Sequence, residues 1–204
     1  MPLYAATSNP GKLREFATSA STQNIGVFPL PRLKEIPEPV EDATTFMGNA
    51  ELKARAYSLS QPNALVFADD SGLEVPALNN EPGVRSARYA DDAGFQASGT
   101  KDERNNALLL ERLGASNHRS AHFVCALALA RDGQILLRAT GSVEGEILHA
   151  PRGSSGFGYD PLFLIPSLGL TFAELPPGQK WELSHRGRAF RTLLAQLPTL
   201  NMSS

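Results

Sequence analysis

Ala64-Leu65-Val66-Phe67-Ala68-Asp69-Asp70-Ser71-Gly72-Leu73 sets a short apolar run against two adjacent carboxylates. The run is partly β-branched and ends at turn-forming residues, so it reads as a buried strand. Ser71-Gly72 is expected to break it, with Leu73 to Leu78 following as a separate short extended piece. Adjacent acids at a strand end repel each other unless a cation or a proton lies between them. Hard oxygen ligands on so stiff a support suit Mg²⁺, which takes a few carboxylates and keeps water and substrate phosphate as its other ligands. The competing reading is a solvated turn, for which Asp-Asp-Ser-Gly is ordinary chemistry.

Outward from this strand, Leu3 to Thr7 reads as a first strand and Ser8-Asn9-Pro10-Gly11 as a tight loop. A helix follows, with Leu13, Phe16, Ala17 and Ala20 recurring at i, i+3, i+4 and i+7. Ile25 to Leu30 is a second strand, and the proline-rich Pro29 to Pro39 is extended loop because each proline disfavours helix before it. A long helix runs from about Thr45 to Ser60, packing through Phe46, Ala50, Leu52, Ala54 and Tyr57. Asn79-Asn80-Glu81-Pro82-Gly83 is turn chemistry. Lys101 to Gly114 is an amphipathic helix stopped by its glycine. Ala121 to Ala130 and Gln134 to Gly141 flank Asp132-Gly133, a strong hairpin signal. Val143 to Ile147 and Leu162 to Ile165 add strand, and a last helix covers about Glu182 to Leu197. Strands alternating with helices, plus one long hairpin, indicate a mixed sheet in an α/β domain. No repeat or linker divides the chain, so residues 1–204 form one domain, with 198–204 as a tail.

The 204 residues are 42% hydrophobic and 20% charged, with a formal net charge of -2. No whole-molecule field therefore draws nucleic acid or an anionic membrane, and a polyanion must be met by a local cationic patch or by metal. The single cysteine, Cys125, has no internal disulfide partner and lies in an apolar run, which fits a buried residue and a reducing compartment. No signal peptide is legible, and no apolar run approaches the roughly 20 residues of a membrane helix. A cytoplasmic protein is expected.

Three further segments carry candidate chemistry. Thr7-Ser8-Asn9-Pro10-Gly11-Lys12 joins a strand to a helix start, where free N–H groups and the macrodipole favour an anion and Lys12 adds a mobile charge. It is no Walker A loop, since the first glycine is missing and Leu13 stands where Ser or Thr would be. The alternative is a plain helix start with Ser8 or Asn9 as N-cap. Gly153-Ser154-Ser155-Gly156-Phe157-Gly158-Tyr159-Asp160-Pro161 lets backbone approach a ligand closely, offers Phe157 or Tyr159 as a flat face for a base, and holds Asp160 extended. Otherwise it is a long turn with its aromatics in the core. Ser184-His185-Arg186-Gly187 places cations in the first turn of the last helix, where the dipole disfavours them, which points to an electronegative ligand such as a carbonyl oxygen; the competing reading is a solvated basic turn. Glu38, Glu41 and Asp42 precede the long helix as caps or metal ligands, and an isolated Lys53 within it reads as solvent-facing. His118 and His122 have i, i+4 spacing on a strand rather than a helix, so neither is taken as a ligand.

Together these segments resemble the inosine triphosphate pyrophosphatase family, whose members hydrolyse non-standard purine nucleoside triphosphates to the monophosphate and pyrophosphate. Thr7 to Lys12, Ala68 to Leu73, Gly156 to Pro161 and Ser184 to Gly187 match in order. Pro82-Gly83 with Ser86-Ala87-Arg88-Tyr89, and Thr45-Phe46 with Asn49-Ala50 and Lys53-Ala54, add to the match. The resemblance implies a mixed α/β fold with an elongated central sheet flanked by helices, two lobes around a nucleotide-binding cleft, and a homodimer. It implies a Mg²⁺-dependent enzyme that removes ITP, dITP and XTP from the nucleotide pool. Thr7, Ser8, Asn9, Pro10, Gly11 and Lys12 would hold the triphosphate, with Lys180 as a further cationic contact. Asp70 would ligate Mg²⁺ and act as general base, Glu41 would be the second metal ligand, and Ser71 would contact substrate. Phe157, Gly158, Tyr159 and Asp160 would hold base and sugar, and His185 and Arg186 would read the base edge. Ser8 stands where the family usually has glycine, and Gly48 where many relatives have Glu. From residues alone, Asp69 and Asp70 are equal candidates for the base. The alternatives are a Maf-like nucleotide pyrophosphatase of other base preference and a non-catalytic nucleotide sensor.

Overall fold

The structure is a computed structural model that describes residues 2–21 and 25–200. Its described elements run β1 (Pro2–Ala5), α1 (Pro10–Ser21), β2 (Gly26–Pro29), α2 (Phe46–Ser58), β3 (Leu65–Val75), β4 (Glu81–Pro82), α3 (Tyr89–Asp92), α4 (Lys101–Leu113), β5 (Ser120–Arg131), β6 (Gln134–Ile147), β7 (Phe163–Ile165), β8 (Leu170–Thr171), α5 (Pro177–Leu183) and α6 (His185–Gln196). The strands form one mixed sheet in the order β2-β1-β3-β5-β6-β7-β8, with β4 added to β3. The expected mixed α/β class holds. β1 pairs in parallel with β2 and with β3, placing Leu3 beside Leu65 and Ala5 beside Phe67.

Ser71-Gly72 does not end the central strand. β3 continues through it to Val75, and Glu74 and Val75 pair with β4. Ladder partners and Ser86, whose hydroxyl accepts from the Leu73 N–H at 2.9 Å, outweigh the turn propensity of the two residues. The Asp132-Gly133 hairpin forms as expected, with φ of 51° and 78° at the two central positions, the mirror-image turn that suits strand twist. Val143 to Ile147 belongs to the same strand as Gln134 to Gly141. The expected final helix is instead two. Ser184 is extended (φ -69°, ψ 153°), its N–H closing α5 on the Lys180 carbonyl at 2.9 Å, and α6 begins at His185. Within the proline-rich segment a short 3-10 turn forms at Leu33–Glu35. Leu197–Thr199, at the start of the expected tail, is another, and residues 201–204 lie outside the described part.

The chain divides into two compact units. One comprises the described parts of Met1–Asp70, Cys125–Gly141 and His185–Ser204. Its core is built on Phe16, Phe67 and Phe190, whose ring centroids lie 4.9–5.6 Å apart, a spacing at which aromatic pairs add about 0.5–1.5 kcal/mol beyond area burial. Gly141 belongs here for a steric reason. A Cβ at that position would run into the His185 carbonyl and the Ala189 N–H of α6, so its absence lets the start of α6 lie against β6. Cys125 is fully buried and burial pushes its thiol up to about 12, which leaves it inert.

The other unit comprises Ser71–Val124 and Ser142–Ser184. Its core gathers Leu73, Val75, Leu109, Ile147, Leu162 and the Phe123, Phe163, Phe172 cluster. Among the described residues no helix is long and apolar enough to cross a membrane.

Candidate active site

Strand alternation decides what the two adjacent acids do. Successive side chains on a strand point to opposite faces. Phe67 meets α1 and α6 through Phe16 and Phe190, and Asp69, two residues on, follows it to the same side. There its Oδ2 lies 2.7 Å from Lys12 Nζ at the start of α1, with its side chain 3% exposed. Asp70 takes the opposite face, toward α2. Its Oδ2 accepts a hydrogen bond from Asn49 Nδ2 at 3.1 Å, and its Oδ1 lies 3.7 Å from Lys53 Nζ. The two carboxylates therefore do not act as one chelating pair.

Their environments also push them apart chemically. Burial alone would raise Asp69, but Lys12 beside it, with Arg186 and Lys53, holds its carboxyl below the ordinary value. Burial raises Asp70, only partly offset by Lys53 and Asn49, while Glu41 and Asp69 push it further up. Two acids separated in this way differ in proton affinity, Asp69 being the stronger acid and Asp70 the weaker.

Glu41 joins Asp70 rather than Asp69. Lys53 Nζ lies 2.9 Å from Glu41 Oε2, so one ammonium stands between the two carboxylates. Lys53 was expected to face solvent, yet its side chain is 13% exposed. Burial works against its charge, and Asp70, Asp69 and Glu41 outweigh that and raise its pKa. Among the described residues no group of three or more His, Cys, Asp and Glu converges to hold a metal. Two carboxylates gathered on one cation fit Mg²⁺, which draws its remaining ligands from water and phosphate.

The loop from Thr7 to Lys12 is organised as a capped helix start. Asn9 Oδ1 accepts from the N–H groups of Gly11 at 2.8 Å and Lys12 at 3.2 Å, and Thr7 Oγ1 accepts from Asn9 N–H at 3.2 Å. The first-turn amides of Gly11 and Lys12 thus already have a partner. The cations at the start of α6 point to an electronegative ligand in the sequence, whereas in the structure Arg186 is partnered by a carboxylate of the chain itself. Arg186 NH1 donates to Glu15 Oε2 at 2.8 Å, in a side chain 4% exposed. Burial would lower its pKa, but Glu15 and Asp69 keep the guanidinium charged. His185 is 5% exposed. In this unit, then, Lys12, Lys53 and Arg186 stand among Glu15, Glu41, Asp69 and Asp70.

The second unit carries the glycine-rich loop. Asp160 Oδ2 is its hub, accepting from Phe157 N–H at 2.9 Å and from Lys180 Nζ at 2.7 Å. Lys180 is 7% exposed, and its ammonium lies 4.9 Å from the centroid of the half-buried Phe157 ring, a cation–π distance. Two residues of α4 at i, i+4 tie the loop tip: Asp102 Oδ2 accepts from Gly158 N–H at 2.7 Å, and Asn106 Nδ2 donates to the Gly158 carbonyl at 3.0 Å. The Tyr159 ring is in the core, and its hydroxyl donates to the Ser86 carbonyl at 2.8 Å. Of the two aromatic faces considered, only Phe157 has one outside the core. Ser71 is half-buried on β3, directly after Asp70.

A Ham1 family model matches residues 3–196. The chain belongs to the Ham1 family. A dITP/XTP pyrophosphatase of Acidobacterium capsulatum is 52% identical over 200 residues, covering 97% of this chain and 98% of its own length. One from an Exiguobacterium species is 47% identical over 197 residues, with 97% of each covered. A Ham1 structure from Coxiella burnetii superposes with a TM-score of 0.83 at 37% identity, covering 98% of this chain and 99% of the other. Lys53 and Glu15 belong to this charged group and Asn49 hydrogen-bonds to it, although none of the three is a candidate site residue in the sequence. The sequence signals for Asn49 and Lys53 are their place in the supporting family match and their i, i+4 spacing, hence one face of α2; Glu15 carries none.

Proposed function

We propose that this chain is a nucleoside-triphosphate pyrophosphohydrolase. It cleaves non-standard purine nucleotides (ITP, dITP and XTP) to the monophosphate and pyrophosphate, and Glu41 and Asp70 hold its Mg²⁺. The observation that carries this, in a Ham1 chain, is the gathering of those two carboxylates on one cation, at 2.9 and 3.7 Å from Lys53 Nζ. When bound, Mg²⁺ supplies neutralisation of phosphate charge.

The residues of the chain do the rest. Asp70 orients a water and takes its proton as the oxygen attacks the α-phosphorus. The bond from that phosphorus to the oxygen bridging the β-phosphate breaks, and pyrophosphate leaves with the electron pair. Asp70 suits this role because its burial favours the protonated product of the step. Lys12 and Lys53 meet the anionic tail, and Asp69 keeps Lys12 in place. In the other unit, Asp160 and Lys180 hold the glycine-rich loop that carries Phe157. His185 and Arg186 donate to the oxygen at the six position of hypoxanthine or xanthine, where adenine carries a donor. An unmatched buried donor costs about 1–3 kcal/mol, which is roughly tenfold to a hundredfold in selectivity for each one. A homodimer in the cytoplasm belongs to the same proposal.

A turnover panel of ITP, dITP, XTP, GTP and ATP, with Mg²⁺ and with EDTA, tests it. The expected result is pyrophosphate from the first three and not from ATP, and only with the metal. Preference for a different base favours the Maf-like alternative, and tight binding without turnover favours a sensor.

A further inference from the structure

Asn49 is 1% exposed in the first turn of α2 and uses both ends of its amide. Oδ1 accepts from the Ala43 N–H at 3.0 Å, and Nδ2 donates to Asp70 Oδ2 at 3.1 Å. A backbone N–H can only donate, so the oxygen must face Ala43 and the NH₂ must face the carboxylate. The side chain therefore has one orientation and two fixed partners. One of these is the proposed base and metal ligand. The other lies two residues from Glu41, the second ligand.

The frame around Asn49 is stiff. Its own N–H bonds to the Thr45 carbonyl at 3.1 Å, and Thr45 caps α2 by accepting from Gly48 N–H at 3.1 Å. Gly48 adds a steric permission. A Cβ there would lie 2.6 Å from the Ala43 Cβ, so glycine lets the segment bearing Glu41 close down on the helix. One turn after Asn49, Lys53 reaches both carboxylates from the same helix face.

We infer that Asn49 is a positioning residue, setting the separation of Glu41 and Asp70 through the single amide that reaches both sides of the pair. It acts through those two acids, and it rests on the assignment of them as the metal-holding pair. Outer partners of metal ligands commonly change metal affinity by about 10–100-fold when removed.

The test uses the full chain as wild type, Asn49→Ala and Asn49→Asp. Mn²⁺ binding to the nucleotide-free protein is followed by electron paramagnetic resonance. Pyrophosphate release from ITP is measured at saturating Mg²⁺, and thermal unfolding reports folding. Asn49→Ala is expected to unfold cooperatively, bind Mn²⁺ at least tenfold more weakly, and lose at least tenfold in kcat with KM for ITP within twofold. Asn49→Asp keeps the acceptor for Ala43 but turns an oxygen toward Asp70. A tenfold or greater loss of kcat there identifies the aiming of Asp70, and it serves alone where the alanine variant does not fold. Wild-type kcat and Mn²⁺ affinity in the folded variants overturn the inference. A wild type that releases no pyrophosphate with any divalent ion overturns the metal-pair assignment beneath it, and the inference with it.

Discussion

Asp69 and Asp70 are neighbours in sequence with opposite roles in folding, and the sign of each follows from its surroundings. Asp69 has a folded pKa below its unfolded value, so its stabilising contribution is present above the unfolded pKa near 3.8 and is lost as pH falls through the folded one. Asp70 has a folded pKa above 3.8, so the fold favours its protonated form, and the stability this provides is lost as pH rises through that raised value. Asp69→Asn is expected to destabilise by about 3 kcal/mol, because it leaves the Lys12 ammonium beside a neutral amide. Asp70→Asn is expected to raise the unfolding temperature at neutral pH in EDTA while lowering ITP turnover by about 10²–10⁴-fold. Thermal denaturation of both variants, with a single-turnover assay of the second, checks the pair. A destabilised Asp70→Asn overturns the electrostatic account. Such opposition of stability and activity is common where a charged group is buried for chemistry.

The elements are placed by contacts that a local pattern does not carry. α6 begins where it does because Ser184 turns extended and Gly141 offers no side chain to the backbone of His185 and Ala189. Gly141→Ala forces a Cβ into that backbone, with an expected loss of about 1–3 kcal/mol or more. The start of α6 also carries Arg186, so turnover of ITP should fall alongside the unfolding temperature. Wild-type stability in this variant shows that α6 can shift at no cost. β3 makes the related point: Ser71-Gly72 reads as a break in isolation, yet β4 and Ser86 supply partners that carry the strand through it.

At the scale of the whole molecule, each unit has its own aromatic core, and the charged group around β3 mixes Lys12, Lys53 and Arg186 with four carboxylates. That group carries one negative charge in excess, so a divalent ion turns it net positive and complementary to a polyphosphate. Mg²⁺ together with a slowly hydrolysed ITP analogue should therefore stabilise the chain more than either alone. At a hundredfold excess over Kd the linkage is about 2.7 kcal/mol, which differential scanning calorimetry resolves readily. Equal stabilisation by the nucleotide in EDTA speaks against a metal-dependent mode of binding.

The mixed α/β class, the Asp132-Gly133 hairpin, the helix stop at Gly114 and most strands were determined by the sequence itself. Alternation, turn residues and capping act over a few residues, and the chain states them in order. The four motif segments were legible for the same reason. Only the tertiary structure decided that Asp69 belongs to Lys12, 57 residues away, and that Arg186 belongs to Glu15, 171 residues away. It also decided that Asn49 and Lys53 are partners of Asp70, and that the Tyr159 ring is core. A side chain's partner is chosen by which elements pack on each face of a strand. That is a property of long-range burial, which no window of neighbouring residues contains.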